Sequence, residues 1–240
     1  KKYNIACDLK DGSFFAAFNA RQMKDLERTK DVWEGAGNTA LEMFDAPRVR
    51  TDVAATDLYC GGLLDRRGGH MHPLNLALGE AAAVESLGGK IFEGSRVVRL
   101  QHGARPKAII AAGTVTADII VVCGNAYLGR TVPELTRRIM SVSSQVLTTE
   151  PLGADVACAM MPAGYAVEDC NFLLDYYRIT ADHRLLFGGG VVYSGHTPQD
   201  IARRLWPHVL RTFPHLKGKK AEFSWSGNFA LTLTRMPHIG

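Results

Sequence analysis

Long apolar runs are missing from this chain. A membrane-spanning helix needs about 18 consecutive apolar residues, and the longest candidate, Ala117–Cys123, is far shorter. Cysteine is scarce: Cys7, Cys60, Cys123, Cys158 and Cys170 make an odd count, with no C-x-x-C spacing. That excludes a disulfide scaffold and fits reduced thiols in the cytoplasm. An excess of charge of one sign is also lacking. The 28 Lys and Arg against 24 Asp and Glu give a net charge of +4. The basic residues are dispersed or form short pairs such as Arg66-Arg67 and Lys219-Lys220. No basic stripe interleaved with aromatics is present, so a nucleic-acid surface is not expected. Lys1-Lys2-Tyr3-Asn4 does not read as a signal peptide, because no apolar segment follows it. Internal repeats, low-complexity tracts and a Pro/Gly/Ser-rich linker are absent too, so any division into two domains must be interwoven.

What remains is ordinary globular composition, 46% hydrophobic and 22% charged, over 240 residues. That length can bury a substantial core. Asn19, with Gln22 three residues on, starts a helix carrying Met23, Leu26 and Trp33, and Gly35 and Gly37 stop it. Pro73 opens a second helix that runs to Leu87, with small residues suited to close packing on a sheet. A third helix starts from Thr197 and Pro198 and carries Ile201, Leu205 and Val209. Pro207 inside it should kink or break it. Strands are expected at Ile91–Leu100, Ser141–Thr149, Phe172–Ile179, Arg184–Val192 and Ala221–Ser226. A hairpin is expected at Lys107–Ala117 around Gly113. Asp118–Cys123 reads as a strand buried on both faces.

Few motifs carry chemistry by themselves. Gly35-Ala36-Gly37-Asn38-Thr39-Ala40 matches a dinucleotide pattern, but a helix precedes it where the motif requires a strand. Gly188-Gly189-Gly190 lacks the Lys-Ser/Thr of a phosphate loop. It suits a strand that something approaches closely. His70 and His72 have no acidic or cysteine partner at metal-ligand spacing, so no metal site is assigned. Hydrogen bonding around the Pro73 turn is the plainer role for both. No G-x-S-x-G occurs. The residues alone reach an α+β domain and no further.

Three segments go further. They are Gly61-Gly62-Leu63-Leu64-Asp65 with Gly68-Gly69-His70-Met71-His72-Pro73-Leu74-Asn75-Leu76, then Val121-Val122-Cys123-Gly124-Asn125-Ala126-Tyr127-Leu128, and finally Leu174–Arg178 with Arg184–Gly190. Together they resemble the FAD-dependent D-amino-acid-oxidase-like family. Trp225–Asn228 and Thr234–Gly240 continue the likeness. The broad family usually has an acidic residue where Arg235 stands. That departure favours the branch acting on gamma-glutamylputrescine.

The resemblance implies an α+β fold, in which an antiparallel-sheet substrate domain with helices is interwoven with part of an FAD-binding α/β domain. Residues 1–69 and 131–235 would form the first, and residues 70–130 and 236–240 part of the second. Such enzymes begin with a strand–GxGxxG–helix unit that these residues do not contain, so the chain reads as the middle of a longer subunit. FAD is the implied cofactor. Val97, Cys123, Gly124 and Asn125 would meet the nucleotide, and Asn125 departs from the family's usual glycine. Tyr176 and Arg178 would point to one face of their strand and Tyr177 to the other. Tyr176 would flank the reacting carbon, Arg178 would bind a carboxylate, Gly189 would leave room for substrate, and Trp225 would line the pocket rim. Tyr176 and Arg178 thus stand as the candidate catalytic pair.

The implied reaction oxidises the C–N bond of gamma-glutamylputrescine or a similar amine. Hydride passes from the carbon to the flavin, the imine hydrolyses, and molecular oxygen becomes hydrogen peroxide. No general base is evident in the sequence. Oxidation of a secondary or D-amino acid is the alternative within the class, and a flavin-free binding domain the alternative outside it. The oligomeric state is left open.

Overall fold

The computed structural model describes residues 2–193 and 200–237. Its elements in chain order are β1 (Lys10–Ala17), α1 (Ala20–Gly35), β2 (Leu41–Asp45), a short α2 (Ala46–Arg48) continued by a π-helical turn at Val49–Val53, β3 (Gly61–His70) and α3 (Pro73–Ser86). There follow β4 (Val97–Gln101), β5 (Lys107–Ile110), β6 (Gly113–Thr116), α4 (Pro133–Thr136), β7 (Ile139–Thr149) and α5 (Ala154–Met160). The last are β8 (Ala166–Asp169), β9 (Tyr176–Ile179), β10 (Leu185–Val192), α6 (Ile201–Thr212) and β11 (Ala221–Thr232). They fold into two compact units that interleave along the chain. The first comprises Lys1–Ala83, Gln145–Gly190 and Gln199–Trp225; the second comprises Val84–Ser144, Val191–Pro198 and Ser226–Gly240.

The first unit is built on a sheet of order β11-β7-β10-β9-β8-β1-β3-β2. Its pairings are antiparallel at β1/β3, β2/β3, β8/β9 and β9/β10, and parallel at β1/β8. Alternation along each strand divides the apolar residues between the two faces. Phe14, Leu64, Tyr177 and Phe187 turn to the larger core, where Leu205, Val209 and Phe213 also pack. Leu63 and Phe15 turn the other way, with Leu26, Met23 and Trp33 of α1. The smaller cluster leaves part of that second face open.

Local chemistry explains the element ends. The Asn19 side chain accepts from the amides of Arg21 and Gln22, and Gln22 Oε1 accepts from the Phe18 amide. These bonds satisfy the free donors that open α1. In β1 the register slips between Asp11 and Ser13, and Gly12 there has φ of 104°. Only glycine enters that conformation without strain, and a Cβ at Gly12 would also collide with the Tyr165 ring.

The second unit carries the antiparallel sheet β4-β5-β6. The expected hairpin is present, with its turn at Ala111-Ala112 and Gly113 paired to Ile110. Other expectations need correction. Gly94, with φ of 64°, turns the chain, so the strand expected from Ile91 begins only at Val97. Residues 118–123 form no strand, and Ile119 and Val121 are each 78% exposed. An apolar segment becomes a doubly buried strand only with strands on both edges, and none is paired with it among the described residues.

Three helix and strand expectations also change. α3 buries none of its residues, although a Cβ at Gly79 would meet Ile5. α6 runs unbroken through Pro207, since Ile201, Leu205 and Val209 anchor it on both sides of the proline. Thr197 and Pro198 lie outside the described residues, as do His238, Ile239 and Gly240. Finally, β9 begins at Tyr176 rather than Phe172. Asp169 accepts from the Asn171 amide, and the Asp169 amide donates to Asp175 O, so the preceding residues form a turn between β8 and β9.

Candidate active site

The open face of the first unit holds a cleft of about 490 Å³ lined by β1, β8, β9, β10 and β11. Register fixes its floor. Tyr176 pairs with Glu168 on β8 and with Gly188 on β10, so the three stand in one row across the sheet. Tyr176 and Arg178 line this cleft, as the alternation predicts. Tyr177 is 2% exposed and points to the core, where it stacks on Phe187 and donates to the Tyr59 hydroxyl at 3.2 Å.

Arg178 is held from one end. Its Nη2 donates to Met71 O at 3.1 Å, and Asp8 is the acidic group that faces it. Burial lowers its pKa below the usual guanidinium value, opposed by Asp8. Arginine starts so high that it keeps its charge. A second cleft of about 760 Å³ shares Arg178, Pro73, Leu186 and Trp225 with the first. Arg178 therefore stands where the two clefts meet. Trp225, 46% exposed, stands on the wall of both.

Gly189 does not line the cleft. It points to the core face, where a Cβ would strike Asp175 Oδ1. The residue that gives Tyr176 its room is Gly188, whose Cβ would collide with that ring. Period-two alternation separates the two glycines, and the triplet Gly188-Gly189-Gly190 by itself does not say which one faces the site. Asp175 is 3% exposed and is met by His208 Nδ1 at 2.8 Å and Arg211 Nη2 at 3.1 Å. This cluster fixes the start of β9 from behind.

Two further titratable residues line the cleft, and Glu168 has no signal in the sequence. Glu168 lines the floor, and burial, helped by Asp169, raises its pKa. His70 is 8% exposed, and its Nε2 lies 2.9 Å from Gly164 O. A carbonyl only accepts, so Nε2 carries the proton. Burial pulls the His70 pKa down, the bond to Gly164 O opposes this, and Arg178 and Lys10 add to the lowering. His72 Nδ1 accepts from the Asn75 amide at 3.2 Å and so serves the Pro73 turn as expected, whereas His70 bonds Gly164 instead. Cys170 is pushed up to about 11 by burial, which leaves no thiolate nucleophile there. Among the described residues no group of three or more His, Cys, Asp or Glu is arranged to hold a metal. Among them, too, no helix is long and apolar enough to cross a membrane.

The residues read as nucleotide contacts all lie in the second unit. Val97 opens β4, and its carbonyl accepts from Thr131 Oγ1 at 3.1 Å. Cys123 is an exposed free thiol. Gly124 has no room for a Cβ against Leu128. Asn125 has φ of 48°, and its Oδ1 accepts from the Ala230 amide at 2.6 Å. Arg235 donates to the Tyr193 hydroxyl at 2.7 Å.

The chain resembles solved structures in its fold. L-proline dehydrogenase of P. horikoshii matches over 100% of this chain and 65% of its own, with TM-score 0.84 and 16% identity. Glycine oxidase of Geobacillus kaustophilus matches over 98% and 63%, with TM-score 0.79 and 18% identity. At such identities the likeness concerns the fold. The family described as FAD dependent oxidoreductase matches residues 1–240, and the chain belongs to it. FAD is the cofactor of that family. Among curated proteins, gamma-glutamylputrescine oxidoreductase of Escherichia coli strain K12 is 52% identical over 241 residues, covering 100% of this chain and 56% of that protein. The probable oxidoreductase OrdL of Haemophilus influenzae is 36% identical over 248 residues, again 56% of its length. The chain thus spans about half the length of the curated relatives it matches.

Proposed function

We propose that this chain supplies the substrate-binding part, and a portion of the flavin-binding part, of a cytoplasmic FAD-dependent amine oxidase. The substrate is gamma-glutamylputrescine or a similar N-acylated polyamine. A primary amine, molecular oxygen and water give an aldehyde, ammonia and hydrogen peroxide. The observation that carries this reading is the placement of Arg178. It lies at the junction of two clefts, with Tyr176 two residues away on the same face. The 52% identity to a protein named for that substrate supports the choice of amine.

The first unit provides the substrate domain and the second the edge of the flavin domain. Cys123–Asn125 fits a nucleotide approaching closely. The segment is small in side chain, Cys123 and Asn125 are exposed, and Asn125 is turned into the left-handed region. Val97, Cys123, Gly124 and Asn125 would hold that edge. The bound flavin supplies the two-electron oxidation and passes the electrons to oxygen.

The chain's own residues bind and orient. Arg178 pairs with the glutamyl carboxylate in a charge-assisted contact. The 760 Å³ cleft takes the glutamyl end, and the 490 Å³ cleft takes the amine end beside Tyr176. Trp225 lines the rim of both. The test is direct: the purified holoenzyme should be yellow and should release peroxide with gamma-glutamylputrescine. Colourless protein, or flavoprotein that turns over only D-amino or secondary amino acids, overturns the reading.

A further inference from the structure

Among the described residues, Glu168 is the one cleft residue whose charge the fold leaves unanswered. It lies on β8, level with Tyr176 on β9 and with Phe15 on β1. Directly paired residues of an antiparallel ladder project from the same face, so its carboxylate stands beside the Tyr176 ring on the cleft floor. It is half-buried, and its side chain makes no hydrogen bond or ion pair among the described residues. Arg178, its diagonal neighbour on that face, is engaged with Met71 O and faces Asp8 instead. Its acidic neighbour in sequence, Asp169, points to the opposite face and is 4% exposed.

A carboxylate drawn out of water without a cation costs stability. A protein keeps such a group at a cleft where a ligand supplies the counter-charge. We propose that Glu168 anchors the cationic nitrogen of the substrate amine, so that the cleft is bipolar, with Glu168 at the amine end and Arg178 at the carboxylate end. This rests on the amine-oxidase reading above. Glu168 and Arg178 thus offer the amine and the carboxylate of the substrate separate partners on one face of the sheet. Burial raises the Glu168 pKa, which agrees with a site that waits for a cation.

The experiment uses the holoenzyme and its Glu168→Gln variant. Competitive inhibition by n-butylamine and by 1-butanol, equal in length but unequal in charge, is measured against gamma-glutamylputrescine. The wild type should favour the amine by about tenfold or more, as expected for a charge-assisted hydrogen bond. In Glu168→Gln that preference should fall towards one and KM should rise by a similar factor, with flavin content retained. Should the Gln variant lose its flavin, Glu168→Asp serves, with a preference between the two. A preference unchanged by the substitution overturns the role of Glu168. A wild-type holoenzyme that oxidises no amine overturns the functional reading itself, so the two failures are told apart.

Discussion

Tyr176 and Gly188 face each other across the β9–β10 ladder, and the tyrosine ring fills the space that a Cβ at Gly188 would occupy. Gly188→Ala should therefore push the ring off its position on the cleft floor. A displacement of about 1 Å near a reacting centre can cost up to about a hundredfold in rate. We expect kcat/KM to fall by roughly ten- to a hundredfold with the flavin still bound. Steady-state kinetics beside the flavin spectrum checks this.

The neighbouring glycine should behave differently. A side chain at Gly189 meets the buried Asp175 carboxylate, which is tied to His208 and Arg211. Gly189→Ala should lower stability by about 1–3 kcal/mol, the usual cost of overpacking, while KM changes little. Chemical denaturation of the two alanine variants side by side separates the two effects.

Arg178→Ala removes a charge-assisted contact worth about 1.5–3 kcal/mol. KM for gamma-glutamylputrescine should rise by about ten- to a hundredfold. KM for putrescine, which has no carboxylate, should respond far less. Equal effects on both substrates would remove Arg178 from the carboxylate subsite.

Much of the site's floor is legible in the sequence, and the reasons are physical. Period-two alternation places Tyr176 and Arg178 on one face and Tyr177 on the other, and burial follows that division. The Asn19 cap and the Gly35–Gly37 stop bound α1 because capping is local chemistry. A glycine triplet has no side chain to reveal which member faces the cleft, and the structure sets Gly188 against Tyr176 and Gly189 against Asp175. Glu168 is not legible because its place comes from long-range pairing, β8 lying against β9 on one side and β1 on the other, and His70, expected to serve the Pro73 turn, instead reaches Gly164, 94 residues away. Residues 118–123 carry the apolar pattern of a buried strand, yet a pattern cannot show whether neighbouring strands are there to cover it.

His70 makes stability depend on pH. Its folded-state pKa is depressed, chiefly by burial, so the unfolded chain binds the proton more readily. Its contribution is fully present above the unfolded histidine value of about 6.5. It is lost as pH falls from there through the lower folded-state value. Melting temperature should drop between roughly pH 7 and pH 5. His70→Gln should flatten that slope; an identical slope in both proteins would refute the assignment.

Glu168 titrates in the opposite sense. Its folded-state pKa is raised, chiefly by burial, so the folded protein holds the proton more tightly, and stability falls as pH rises from the unfolded glutamate value through the folded one. Glu168→Gln should leave the melting temperature at pH 7 unchanged or higher while KM rises. A purely structural glutamate would show the reverse.

The row of Glu168, Tyr176 and Gly188, with Arg178 beside it, is proposed as the amine-binding face of a flavin oxidase. The most direct measurement is anaerobic mixing of the holoenzyme with gamma-glutamylputrescine, followed by admission of oxygen. The expected result is bleaching of the flavin absorbance by one equivalent of substrate, then recovery of colour with one equivalent of peroxide. A flavin spectrum unchanged by the amine, in protein that carries FAD, would contradict it.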